Sequence, residues 1–277
     1  MPITARSGPS EFRSYEALVK LSVNEFKRRL AGGEPLVGMW CSLPGGFAAE
    51  VLAGAGFDWI LFDTEHSPGD PVTVLSQLQT AAAYPVSSVV RPASNDPVLI
   101  KRLLDIGAQT LLVPFVENAA EAAQAVAAMR YPPLGMRGVA GITRASRFGR
   151  VKNYGALAAD ELCLLVQVET RTALADLEAI ASVDGVDGVF IGPSDLAASL
   201  GHIGRPDHPE VVALIEDALR RLRALGKPSG LLTTNVEFAR RSFDLGAAFV
   251  AVGVDVALLT RAADELASLF APGRQHR

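Results

Sequence analysis

Leu165-Val166-Gln167-Val168-Glu169 is an apolar run that finishes on polar groups. Side chains alternate across a strand, so Gln167 and Glu169 share one face and Val166 and Val168 the other. The same layout recurs along the chain. Short β-rich runs at 36–40, 59–63, 88–91, 110–114, 163–169, 188–191, 228–232 and 249–253 alternate with helical patterns at 72–83, 97–105, 119–129, 172–181, 209–225, 236–245 and 256–270. Repeated βα units predict a parallel α/β sheet, either a closed barrel or an open doubly wound sheet. Asp63, His66, Arg91, Gln167, Glu169 and Asp195 all fall at or just past strand C-termini, where a (β/α)8 TIM barrel gathers its chemistry, and this favours closure. A short helical pattern at 23–30, stopped by Gly32 and Gly33, is expected to plug the barrel bottom. Residues 1–22 then form an N-terminal extension without assigned function, and 23–277 a single barrel domain.

Composition bounds the function class. The 277 residues suit one barrel, and an apolar share of 49% is enough to fill its core. A net charge of -4 offers no basic footprint for nucleic acid, so small molecules are the expected partners. No apolar run approaches the roughly 20 residues of a membrane span, and the first ten residues lack a signal-peptide segment, which predicts a soluble, cytoplasmic protein. Cys41 and Cys163 have no zinc-ligand spacing and read as buried apolar residues.

Glu169 and Asp195 end adjacent strand units, and two carboxylates with open positions suit a hard divalent cation, Mg²⁺ or Mn²⁺ first. The bland alternative is that each caps the helix that follows it. Gly192-Pro193-Ser194-Asp195 is a tight turn whose backbone N–H groups can hold a carboxylate. In Asp63-Thr64-Glu65-His66 a turn can bring the carboxylate to the imidazole, making His66 a general base or merely ordering the loop. Arg91 either steadies a developing oxyanion or pairs with a mouth carboxylate. Trp40 and Leu232 are placed to shape the apolar side of the pocket. None of Lys20, Lys27, Lys101, Lys152 and Lys227 ends a strand on the mouth side, which disfavours imine chemistry and leaves a metal to hold enolate charge.

These residues, with Ala53-Gly54-Ala55-Gly56-Phe57-Asp58-Trp59, Asn95-Asp96-Pro97, Tyr131-Pro132-Pro133, Arg144-Ala145-Ser146-Arg147 and Gly185-Val186-Asp187-Gly188, closely resemble the HpcH/HpaI aldolase family from about residue 36 to 270. The resemblance implies a class II, metal-dependent pyruvate aldolase, a carbon–carbon lyase acting on a 2-oxo acid and an aldehyde. By position it implies Glu169 and Asp195 as ligands of Mg²⁺, Mn²⁺ or Co²⁺, and Gln167 beside them in the pyruvate pocket. His66 becomes a base paired with Asp63, and Arg91 the electrophilic group. It also implies a homo-oligomer, commonly a hexamer, in which Asp105 of a neighbouring subunit approaches the site and the last helix packs on another chain. An oxaloacetate decarboxylase or an acyl-CoA lyase using the same metal enolate is the enzymatic alternative. Departures at 41–46, Pro71 and Phe148 leave the aldehyde open, and the basic stretch from Arg137 to Lys152 reads either as a carboxylate site or as a subunit boundary.

Overall fold

Eight parallel strands close on themselves in sequence order in the computed structural model, which describes residues 19–270. They are β1 (Leu36–Cys41), β2 (Trp59–Asp63), β3 (Ser87–Arg91), β4 (Thr110–Val113), β5 (Cys163–Val168), β6 (Gly188–Ile191), β7 (Ser229–Leu232) and β8 (Phe249–Val254). The helices are α1 (Glu25–Ala31), α2 (Gly46–Ala53), α3 (Pro71–Ala81), α4 (Pro97–Asp105), α5 (Ala119–Met129), α6 (Tyr154–Glu161), α7 (Arg171–Ala175), α8 (Leu177–Ala181), α9 (Pro193–Ser199), α10 (Pro209–Ala224), α11 (Val236–Asp244) and α12 (Asp255–Phe270). β8 pairs with β1, so the closed barrel replaces the open-sheet alternative. The expected extension at 1–22 lies outside the described residues as far as residue 18, as does the tail from 271. Among the described residues no helix is long and apolar enough to cross a membrane.

The bottom is plugged as the short N-terminal pattern predicted. Asn24 caps α1 by accepting the Lys27 N–H at 3.0 Å, and its own amide reaches Thr110 Oγ1 on β4 at 3.0 Å. Phe26 then enters the barrel and meets Trp59 and Phe249 edge-on, with ring centroids 5.9 and 5.8 Å away. The Trp59 ring lies so close to β1 that a Cβ on Gly38 would stand 2.0 Å from it, which is why that strand position carries no side chain. Phe26→Ala is expected to cost about 3–5 kcal/mol in denaturant unfolding, because it removes a fully buried ring packed against Trp59 and Phe249.

Two expectations change. The helix expected over 172–181 breaks into α7 and α8 at Asp176, whose carboxylate turns aside to accept the Ala119 N–H that heads α5, at 3.1 Å. The basic stretch from Arg137 to Lys152 lies between the end of α5 and the start of α6, on the connection that leads into β5, so it belongs to the barrel bottom. Its cations face their own chain. Arg137 is fully buried, pairs with Asp105 at 2.7 Å and lies 4.5 Å over the Tyr131 ring. Arg144 donates to the Ile106 carbonyl at 2.7 Å, and Arg147 to Ser22 Oγ at 2.8 Å. This stretch and Phe148 are therefore remote from the mouth of their own barrel.

Candidate active site

Register sets the site. Asp63 and Arg91 are direct partners across β2 and β3, and Gln167 and Val168 of β5 face Phe190 and Ile191 of β6. Glu169, one residue past β5, therefore meets Gly192, one residue past β6. A Cβ on Gly192 would lie 2.5 Å from Glu169 Oε2, so the carboxylate occupies space that only glycine leaves free.

Glu169 is almost wholly buried. Its Oε1 accepts the Phe115 N–H at 2.9 Å, and Gln167 donates its amide to Oε2. Burial pushes its pKa up to about 7; the two hydrogen bonds oppose the rise, and the charges of Asp195 and Glu65 add to it. The carbonyl oxygen of Gln167 is buried with no hydrogen-bond partner. Neither carboxylate is a helix cap. Thr170 caps α7, accepting the Ala173 N–H at 3.0 Å, and Gly192 holds the cap position of α9, leaving Asp195 in its first turn. An orphaned amide oxygen beside a carboxylate whose proton affinity is raised by burial and, less, by a second carboxylate is an oxygen donor set that a divalent metal fits.

On the opposite side of the mouth, Arg91 donates through Nε and Nη2 to the two oxygens of Asp63 at 2.9 and 2.7 Å. Its Nη1 lies 2.8 Å from Glu65 Oε2, and the guanidinium stands 4.8 Å over the Trp40 ring. Trp40 Nε1 and the Glu65 N–H also donate to Asp63, at 3.3 and 3.0 Å. Burial acts to raise the Asp63 pKa, but Arg91 and these donors hold it below the usual carboxylate value. Burial raises Glu65 against the pull of Arg91.

The expected Asp63–His66 pair is not formed, and this corrects the reading from spacing. Asp63 sits opposite Arg91 in the sheet, and a bidentate guanidinium is a stronger partner than an imidazole on a loop. His66 is 62% exposed in its side chain, with Glu65 Oε2 3.9 Å from Nε2. The ion-pair reading of Arg91 is the one observed. Gln167, Glu169, Gly192, Pro193, Ser194 and Asp195 come together at β5 and β6, and half-buried Leu232 ends β7. Asp105 does not join them. It ends α4 at the barrel bottom, held by Arg137. Glu65 and the Phe115 N–H were missed. Continuing strand alternation two residues past Asp63 would have found Glu65; Phe115 contributes backbone, held at φ 49, and leaves no side-chain signal.

Comparison with known proteins agrees with this geometry. The family model for HpcH/HpaI aldolase/citrate lyase matches residues 36–262. A Rhizobium etli protein named pyruvate aldolase is 65% identical over 253 residues, covering 91% of this chain and 100% of that protein. A 4-hydroxy-2-oxo-heptane-1,7-dioate aldolase from Klebsiella pneumoniae is 57% identical over 248 residues, 89% of this chain and 94% of that protein. The crystal structure of a family protein from Burkholderia cenocepacia superposes with a TM-score of 0.86 at 41% identity, covering 90% of this chain and 100% of that one. The chain belongs to the HpcH/HpaI aldolase/citrate lyase family.

Proposed function

We propose that this chain is a divalent-metal-dependent aldolase joining pyruvate, or a related 2-oxo acid such as hydroxypyruvate, to an aldehyde and cleaving the product again. The buried Glu169 beside Asp195 and the orphaned Gln167 oxygen carry the reading. Mg²⁺, Mn²⁺ or Co²⁺ held by Glu169 and Asp195 supplies the Lewis acidity that makes a proton next to a carbonyl removable near neutral pH. The residues of the chain do the rest. Ser194 and Asp195, whose N–H groups head α9 with no intrahelical acceptor, bind the carboxylate of the 2-oxo acid, with Gln167 alongside. Arg91, fixed on two edges by Asp63 and Glu65 and on one face by Trp40, presents its charge to the oxygen that gains electrons. His66 takes the methyl proton, and in cleavage the proton of the hydroxyl two carbons from the ketone. Leu232 and Trp40 bound the apolar side. The lysines support the absence of an imine, since Lys27 and Lys227 donate to the Leu162 and Val186 carbonyls at the barrel bottom.

The same reading makes the active form a homo-oligomer, a hexamer by family likeness, with Asp105 of a second copy reaching the mouth. In its support, every residue of α12 after Asp255 is exposed, including Leu259, Leu266 and Leu269.

Exchange of pyruvate methyl protons with solvent tests the base, because this half-reaction needs no aldehyde. His66→Ala is expected to slow it by about 10²- to 10⁴-fold with pyruvate binding retained. Asp63→Asn acts through Arg91, which shares Glu65 with His66, so its loss and that of His66→Ala should fall short of multiplying as independent effects. Exchange at the wild-type rate in His66→Ala would remove His66 from the mechanism.

A further inference from the structure

His202, His208 and Glu210 cluster three side chains of metal-ligating type on the outer rim of the same barrel end. The place follows from Arg171, which opens α7 just past β5: its N–H reaches Ser199 Oγ at 3.1 Å and its guanidinium lies 3.5 Å from Glu210 Oε1. Local hydrogen bonds pin the backbone of the two histidines. The His202 N–H bonds the Ala197 carbonyl at 2.7 Å, the His202 carbonyl accepts the Arg205 N–H at 2.9 Å, and the His208 N–H bonds the Arg205 carbonyl at 3.0 Å. His208 then caps α10, accepting the Glu210 N–H at Nδ1 over 3.3 Å.

The side chains converge. The two imidazoles lie face to face, centroids 3.5 Å apart and planes 17° from parallel, and His202 Nε2 stands 2.8 Å from Glu210 Oε2. One ligand atom from each of the three residues lies within 4.8 Å of the others. Capping α10 and pairing Glu210 each need one histidine; neither requires the rings to stack. The stacked rings share no hydrogen bond. Tetrahedral Zn²⁺ with bonds of about 2.0–2.1 Å needs ligand atoms a little over ~3 Å apart, so half-exposed side chains reach it by small rotations, with His208 giving up the Glu210 N–H to free a ring nitrogen. The short approach of His202 Nε2 to Glu210 Oε2 marks where such an ion would bind.

We propose that His202, His208 and Glu210 are a second cation site, selective for Zn²⁺ or another imidazole-seeking transition ion and closed to Mg²⁺. Two imidazoles and one carboxylate are a borderline ligand set, whereas Mg²⁺ demands oxygen. Occupancy draws Glu210 away from Arg171 and ties the 200–208 turn to α10.

The test uses the untagged, chelator-stripped full chain carrying Glu169→Gln and Asp195→Asn, so that the mouth no longer competes. Zn²⁺ calorimetry is expected to give one equivalent per chain, Mg²⁺ none, and Cu²⁺ an electron spin resonance spectrum with coupling to two imidazole nitrogens. Adding His202→Ala and His208→Ala should weaken Zn²⁺ by more than the roughly 10- to 100-fold that losing an outer hydrogen-bond partner costs. His202→Gln, which keeps a donor toward Glu210 but no ligand nitrogen, should lose as much and guards against a folding defect at the α10 cap. No Zn²⁺ binding in the mouth variant, or binding that survives removal of both histidines and so belongs to His66 or His276, overturns the proposal. Mn²⁺-supported pyruvate exchange in otherwise wild-type protein should be unchanged by His202→Ala with His208→Ala, which keeps this result separate from the aldolase reading.

Discussion

Glu169→Gln is expected to abolish metal-supported turnover and, at the same time, to make the metal-free protein more stable at pH 8. A neutral amide cannot replace a carboxylate ligand, and several kcal/mol of charge stabilisation at about 1.4 kcal/mol per decade amount to a loss of about 10³-fold or more. The stability gain follows from the raised pKa. The folded chain holds the Glu169 proton up to about pH 7, whereas an ordinary glutamate releases it near 4.5. The folded state therefore binds more protons in that window, and stability is lost as pH rises through it, by an amount on the order of 3 kcal/mol. At pH 8 the wild type carries the full penalty and the amide carries none. At pH 4 the difference should vanish. The substitution also suits its neighbour, since Gln167 can rotate to present its orphaned oxygen to the new amide. Denaturant unfolding in chelator at both pH values checks this; a variant less stable than wild type at pH 8 would return Glu169 to a structural role.

Arg91→Ala should be the most damaging single change to the fold at the mouth. It leaves Asp63 and Glu65 buried without their cation, and breaking such a pair costs about 3–5 kcal/mol. On the proposed mechanism it also removes the charge set against the reacting oxygen, for a further expected loss of about 10²- to 10³-fold in rate. Arg91→Lys should restore part of the stability, because it returns the charge but cannot bridge Asp63 on two edges. Arg91→Ala combined with Asp63→Asn should be less destabilised than the two single losses added, since the second change removes a charge the first left unpaired. Strict additivity in denaturant unfolding would deny the pairing.

Most of this architecture is legible before any coordinates because each strand is a short β-rich run closed by turn residues or polar groups. The expected 59–63 and 188–191 match β2 and β6, and the plug before Gly32 does what an apolar Phe26 and Leu30 on one helix face require. The break at Asp176 escapes because the decisive partner, the Ala119 N–H, is distant in sequence. The site divides in the same way. Glu169 and Asp195 follow from strand ends alone, but the partner of Asp63 is chosen by β2–β3 register, and local spacing pointed instead to His66. Phe115 contributes a main-chain donor, which no residue type announces.

On the proposed mechanism, Glu169 and Asp195 hold a metal on which proton removal from a 2-oxo acid depends, without an imine. Pyruvate methyl-proton exchange, followed by NMR in chelator-stripped protein during titration with Mn²⁺ and then repeated with borohydride present, tests it most directly. No exchange is expected before metal, with recovery on adding metal in wild type but not in Glu169→Gln, and no increase in protein mass after borohydride. Exchange that proceeds without metal and leaves pyruvate reduced onto a lysine would contradict it.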